Sequence, residues 1–505
     1  VRSLLTNRFV LAALVVVVLG GLYSVAGLAH PVVFAQGAQL RPPARAAVSA
    51  AIRACPAPGT AGATAGGIAI AAAPAAAGSG QAVVSPLSPA GSSTPGAALH
   101  TVTQPGQLTI LAVPRAHAVP KKLLTLSGQG GGSVPTTPAS GGAMIEAAGS
   151  MAQGIEVEQT GSGGRVTARC EGPGTDFWFA GPGDSSASDI QLYLMNVDSQ
   201  PADAGVDAMT DSGPLLADSD TGITVPAHGM VVQSLSRLLH GSKIMALHVT
   251  TSSGRVVAAV RETTSASKPG AWLPATSAPA RRLVLPGLPA VPGSRELYVA
   301  VPGVGNAQVK VTAVTAKGSY HPTGGSGIEL PGGSALGIAL PSLGGIPAAI
   351  VISSSVPVTA AMLVPGGAAG ASGAFTTSSG PVLEQGVIAD NPGRGAGSAS
   401  LVLSAPLGAA SVRITEATSK SGLSGQSGRL VHVAAASTVV VKLHPPPGSA
   451  QAFAVVITPL AGSGPVYAGR VLSSGGTVQS ILPVLSSPTW IPLPRVRDSL
   501  TTVLP

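Results

Sequence analysis

The sequence predicts an all-β protein of tandem β-sandwiches behind a single N-terminal transmembrane helix. Three observations carry that expectation. The 505 residues include 67 glycines and 45 prolines, yet 45% are hydrophobic, which is the composition of many short buried strands broken by turns. A strand-turn-strand signature recurs about every hundred residues. One uncharged run near the N-terminus is long enough to cross a bilayer.

That run is residues 9–29, FVLAALVVVVLGGLYSVAGLA. At about 1.5 Å per residue it makes a helix of roughly 30 Å, the thickness of the hydrocarbon core. Arg2 and Arg8 precede it and favour a cytoplasmic N-terminus over residues 1–8, an effect that Arg41 and Arg45 beyond the span weaken. A cleaved signal peptide ending at Val33-Phe34-Ala35 is the alternative, but the run exceeds the usual apolar region of ~7–15 residues. Either way the remainder is expected to be exported, and a single-pass anchor in the cell membrane is favoured. Residues 30–53 then form a stalk. Ala44 to Ala54 reads as a short helix, because Pro42-Pro43 suits a helix start and Val48 and Ile52 stand four apart.

The repeated signature is a strand, a Pro/Gly-type turn and a second strand, followed by a closing hairpin. Its middle part is Thr221 to Val232 and Gly327 to Ile338, with looser versions at Thr101 to Ile110 and Leu430 to Val441. The closing hairpins are expected at Gly154 to Cys170, Lys243 to Arg261, Ala348 to Val364 and Ala452 to Val471. Strands alternate as half-buried strands should. In Gln308-Val309-Lys310-Val311-Thr312-Ala313 the apolar residues share one face, and Ser411 to Thr415 behaves likewise.

Short strands with turns every 8–12 residues fit immunoglobulin-like sandwiches. The expected bounds are 54–175, 176–268, 281–365 and 396–475, with a Gly/Ser-rich linker at 366–395 and a tail at 476–505. Gly128 to Gly142 reads as a long loop within the first unit, and Gly366 to Gly380 as the separator before the fourth. Four units in a row with separate cores is the first expectation. A closed, propeller-like ring of sheets is the second.

Charge is sparse, with 10% of residues charged and a net charge of +8. No acid precedes Glu146, whereas Glu171 and nine aspartates lie between Cys170 and Ser236 without a Lys or Arg. The bases are scattered, with no cluster interleaved with aromatics, which argues against a nucleic-acid partner. Asp203, Asp207, Asp211, Asp218 and Asp220 form the candidate surface for a basic partner or calcium. The Asp218-Ser219-Asp220 fragment lacks the third ligand and distal Glu of a calcium loop, so no metal site is assigned. The first unit, rich in bases, is a candidate internal partner for this face. Two cysteines, Cys55 and Cys170, in an exported chain predict one disulfide. Trp178, Trp272 and Trp490 each follow a unit and read as rings that cap sandwich ends or fill junctions. A carbohydrate-stacking role is the alternative.

Ala54 to Pro58, Ala168 to Gly181 and Val351 to Ala360, together with the apolar anchor, resemble an uncharacterised actinobacterial family of membrane-anchored exported proteins, a domain of unknown function. The resemblance implies export and lends no catalytic residues.

No HExxH, GxSxG, P-loop or dinucleotide fingerprint occurs. Ser265-Ala266-Ser267-Lys268 matches SxxK only as a string before a proline. His248 lies on the outward face of its strand. The expected function is a non-catalytic, cofactor-free envelope protein that binds or scaffolds, with envelope proteins or glycans as partners. A carbohydrate-binding or carbohydrate-processing protein is the alternative.

Overall fold

The computed structural model describes residues 8–28 and 45–492, except 57–66, 73–105, 115–118, 128–131, 135–140, 161–166, 188, 216–221, 264–270, 342, 344, 367–372, 396, 419–427 and 451. The chain divides into two compact units, residues 1–44 with 493–505, and residues 45–492. In the first, α1 (Arg8–Leu28) is a helix of 21 residues. Leu14 to Leu19 and Tyr23 are exposed apolar side chains on it. Its side chains are described only at 13–21, 23 and 24, and among the described residues no helix is long and apolar enough to cross a membrane.

The second unit is all-β. A short β1 (Arg45–Ala47) leads into a first set of strands, β2 (Ala50–Cys55), β3 (Gly67–Ala71), β4 (Gln107–Val113), β5 (Lys121–Ser127), β6 (Gly132–Val134), β7 (Gly142–Ala148), β8 (Glu156–Thr160) and β9 (Thr167–Arg169). The second set is β10 (Asp176–Pro182), β11 (Asp189–Met195), β12 (Ala202–Thr210), β13 (Gly213–Leu215), β14 (Ile223–Val225), β15 (Met230–Ser234), β16 (Ile244–Ser253), β17 (Val257–Thr263) and β18 (Ala271–Leu273). The third is β19 (Ala280–Leu288), β20 (Arg295–Ala300), β21 (Ala307–Thr315), β22 (Gly318–Tyr320), β23 (Ile328–Leu330), β24 (Ala335–Leu340), β25 (Ala348–Val364) and β26 (Ala374–Thr377). The fourth is β27 (Gly386–Asn391), β28 (Ser398–Ala405), β29 (Ala410–Ala417), β30 (Arg429–Val433), β31 (Ser437–Leu443), β32 (Phe453–Pro459), β33 (Tyr467–Ser474) and β34 (Thr477–Pro483), and β35 (Trp490–Pro492) ends the unit.

Each set folds into two facing antiparallel sheets with one topology. The first set gives β2-β7-β4-β5 against β6-β3-β8-β9, and the fourth gives β27-β32-β29-β30 against β31-β28-β33-β34. The second set follows the same order, with β13 and β14 sharing the outer edge beside β12. The third does so too, except that the 17-residue β25 serves both sheets. The repeat extends to turns. Thr210 donates its hydroxyl to the Gly213 carbonyl and Thr315 does the same to Gly318. His228, Gly333 and Ala436 all take positive φ in the turn before the fifth strand, so two side chains accept a conformation that costs glycine nothing.

The four sandwiches pack head to tail and close a ring. The sheet begun by β2 faces β11 and β17 of the second sandwich, where Val113 and Met144 meet Tyr193, Met195 and Trp272. The second meets the third through Trp178 and Ala246 against Tyr298, Ala361 and Phe375. The third meets the fourth through Leu285 and Val314 against Val402, Tyr467 and Ile481. The fourth returns to the first through Val387, Ala389 and Val456 against Ala69 and Ala71. The strand pair β1–β35 joins the two ends, with Arg45 opposite Pro492 and Ala47 opposite Trp490.

This arrangement corrects several expectations. The stretch 44–54 is not a helix but β1 and β2. Alanine tolerates either state, and ladder bonds to β7 and β35 decide it. Three of the closing hairpins are not hairpins, because β16 and β17, like β32 and β33, pair in opposite sheets of their sandwich. Ser354 to Pro357 contains no turn, and β25 runs straight through while changing sheet, with Pro357 at the crossover, where no ladder donor is required. The looser signature at 101–110 falls on β4, a central strand, and residues 101–105 lie outside the described residues. The loop at 128–142 contains β6, and the linker at 366–395 contains β26 and β27. The bounds 54–175, 281–365 and 396–475 and the tail at 476–505 shift accordingly. β2 precedes the first bound, while β18, β26 and β34 complete sandwiches after the bounds drawn for them. Nor are the cores separate, since each junction above buries side chains from both neighbours.

Candidate functional site

The last strand of every sandwich (β9, β18, β26 and β34) runs along the inside of the ring, and all four converge on one cleft. Thr167, Arg169 and Glu171 line it from the first sandwich and Trp272 to Ala275 from the second. Thr377 comes from the third, and Leu482, Pro483 and Leu485 from the fourth. Its volume is about 30 Å³, room for a water molecule, against ~300–1,000 Å³ for a small-molecule site. Hydroxyls tie the inner strands together: Thr276 Oγ1 and Thr359 Oγ1 are 2.7 Å apart, Ser277 Oγ and Ser378 Oγ 2.9 Å, and Thr377 Oγ1 donates to the Ala275 carbonyl.

The seam between the fourth and first sandwiches differs from the other three in chemistry. Glu156 and Glu158 share one face of β8, and Arg169 lies across from Glu158 in register. Arg169 donates through Nε to Glu156 Oε1 and through a terminal nitrogen to the Pro483 carbonyl at 2.9 Å. Glu158, fully buried, lies 2.7 Å from the equally buried Arg470 and accepts the Ala389 amide at 3.0 Å. Arg470 also donates to the Asp390 carbonyl. Burial pushes the Glu158 carboxyl above its ordinary range, with Arg470 pulling the other way. Burial opposes the charge on Arg169, yet Glu156 and Glu171 outweigh it and leave the guanidinium pKa raised. Glu171 is likewise pushed up by burial against the pull of Arg169. Each carboxylate is thus held by a guanidinium or an amide. The arrangement clamps two sandwiches together, and an outer clasp, Arg45 to Glu384 at 3.7 Å, lies half-exposed beside it.

A second buried acid stands apart from this clamp. Glu262 on β17 is 6% exposed, and burial pushes its carboxyl up to about 7. The folded chain therefore holds a proton that the unfolded chain releases above about 4.5, so stability falls as pH rises from about 4.5 to about 7. Glu262→Gln should flatten that slope and, above pH 7, stabilise the protein by roughly 3 kcal/mol. Thermal melts of both proteins at pH 5 and pH 8 read it, and equal slopes would defeat the assignment.

The residues singled out from the sequence are distributed as follows. Cys55 and Cys170 are joined in a disulfide buried in the first core. Asp203 accepts from Thr224 and Ser253, and Asp211 from the Lys243 amide. Asp207 is exposed on β12 between them. Asp203 and Asp211 flank the nine residues of β12, roughly 25 Å apart at strand spacing, so they cannot share an ion. Asp218, Asp220, Ser265 and Lys268 lie outside the described residues. Among the described residues no three His, Cys, Asp or Glu gather where they could hold a metal. The acids on β12 are not on the sheet that meets the first sandwich, whose junction is apolar, so the internal docking of acidic second unit on basic first unit does not occur.

Trp178 stacks on His248 at 3.7 Å, and His248 Nε2 is 3.3 Å from Asp176. Trp272 sits between Tyr193 and Arg261 at the first junction, and Trp490 lies in β35. Glu156, Glu158, Arg169 and Arg470 were missed. Two glutamates on one strand face in so charge-poor a chain were the available signal.

The family described as "Family of unknown function (DUF5719)" matches residues 127–444, more than half of the chain. No curated protein matches the sequence. Among solved structures the chain has a likeness, at 10% identity and a TM-score of 0.12, to an anti-sigma factor domain-containing protein from Clostridium clariflavum, over 76% of this chain and 100% of that one.

Proposed function

We propose that this chain, which belongs to the family of unknown function DUF5719, is a non-catalytic cell-envelope scaffold: a closed ring of sandwiches held outside the cytoplasm on a membrane anchor. The observation that carries the reading is the buried Cys55–Cys170 disulfide, a bond that persists in oxidising compartments and is rare in the cytosol. The exposed apolar side chains of α1, within a 21-residue run from Phe9 to Ala29 free of charge, support the anchor. Pairing of the second strand with the fifth and the third with the sixth in every sandwich supports an immunoglobulin-like ancestry for the repeat. A scaffold rather than an enzyme is favoured because the inner strands converge on bonded side chains around a water-sized cleft.

Protease added to intact spheroplasts tests the location. Most of the chain should be degraded while a cytoplasmic marker survives, and full protection behind an intact membrane would sink the envelope reading. Hydrolysis or transfer on a purified envelope substrate by the full chain would overturn the non-catalytic one.

A further inference from the structure

We propose that the outer rim of the fourth sandwich docks onto the acidic outer face of the second sandwich in another copy of this chain. The fourth rim is made by the edge strands β30 and β31, each with one side unpaired. Leu430, directly across from Arg413, is 63% exposed, and Val440 is 42% exposed. Around them stand Arg413, Arg429, Lys442 and His432, all exposed, and Arg429 reaches over to the Lys442 carbonyl at 3.0 Å. One acid, Glu416, lies 3.8 Å from Arg429. Edge strands bearing bare apolar side chains among bases are an unfinished surface.

The complementary surface is on the same molecule. The sheet containing β10, β16 and β12 presents Asp176, Asp203 and Asp207 on the equivalent outer face, with Asp211 at its end. On the third strand, positions carrying Asp203 and Asp207 here carry Gln308 and Thr312 in the third sandwich, so the acidity belongs to this repeat alone. Asp198 is already paired to Arg255 at 2.6 Å, while Asp207 has bulk solvent before it. The second and fourth sandwiches are not neighbours in the ring, so these faces cannot neutralise each other within one chain. A contact between copies does so, and because the two faces differ it is heterologous and propagates into rows. Anchoring on one membrane, which rests on the function proposed above, would concentrate the copies.

Sedimentation of the full chain in detergent, at salt of ~0.02 M and ~0.5 M, reads the contact. Concentration-dependent growth is expected at low salt and its loss at high salt. Arg413→Glu with Arg429→Glu should weaken self-association at least tenfold, as should Asp176→Lys with Asp207→Lys. Mixing the two variants should restore a heterodimer. Lys121→Glu with Lys122→Glu, on the basic edge of the first sandwich, should change nothing. Circular dichroism of each variant establishes folding. A chain that stays monomeric at low salt overturns the proposal. So do folded single-patch variants that associate like the original, or a mixture that fails to pair. Spheroplast protection, by contrast, would remove only the location.

Discussion

Glu158→Ala should be among the most destabilising single substitutions in the ring, lowering stability by about 3–5 kcal/mol. Glu158 is fully buried, and its carboxylate is what neutralises Arg470, which is also fully buried at 2.7 Å. Removing it strands a guanidinium without water or counter-charge and frees the Ala389 amide that it accepts. The loss should concentrate at the seam. Hydrogen exchange should accelerate in β3, β8 and β27 before β12 or β16, because only this junction relies on ions while the others bury large apolar side chains. Replacing both partners, Glu158→Leu with Arg470→Met, should recover most of the loss, since no unpaired charge then remains. Urea midpoints and exchange rates measure both. A cost below about 1 kcal/mol for Glu158→Ala would show that the pair does not hold the ring shut.

Removing the disulfide should cost about 2–5 kcal/mol. Cys55 ends β2 and Cys170 follows β9, the two strands nearest the ring axis in the first sandwich, and 115 residues separate them in sequence. A link across so long a loop restricts the unfolded chain strongly. Cys55→Ser with Cys170→Ser should therefore unfold at lower urea than the oxidised protein. Both sulfurs are fully buried, so reductant should act on the native protein only through opening of the first sandwich. Equal midpoints for oxidised protein and double variant would show that the surrounding core alone fixes these strands.

The strands were largely legible because their code is local. Val309, Val311 and Ala313 alternate with Gln308 and Lys310, and the structure buries the first three and exposes the other two. The pairing of Cys55 with Cys170 needed only their number and an oxidising setting. Strand partners were another matter. A turn-bearing pair such as β16 and β17 looks the same whether it folds back within one sheet or crosses to the facing one, because periodicity records which side is buried and not what buries it. Alanine-rich 44–54 carried no decisive propensity, so its state waited for β7 and β35.

Composition and alternation by themselves determined an all-β chain of four repeated sandwiches with one disulfide. Only the tertiary structure decided that the sandwiches share cores and close on themselves, that β1 meets β35, and that Glu158 finds Arg470 more than three hundred residues away. The physical reason is range. Hydrophobic period and turn chemistry act over a few residues, whereas ring closure depends on the summed angle between four successive sheet-on-sheet contacts, which no short stretch of sequence encodes.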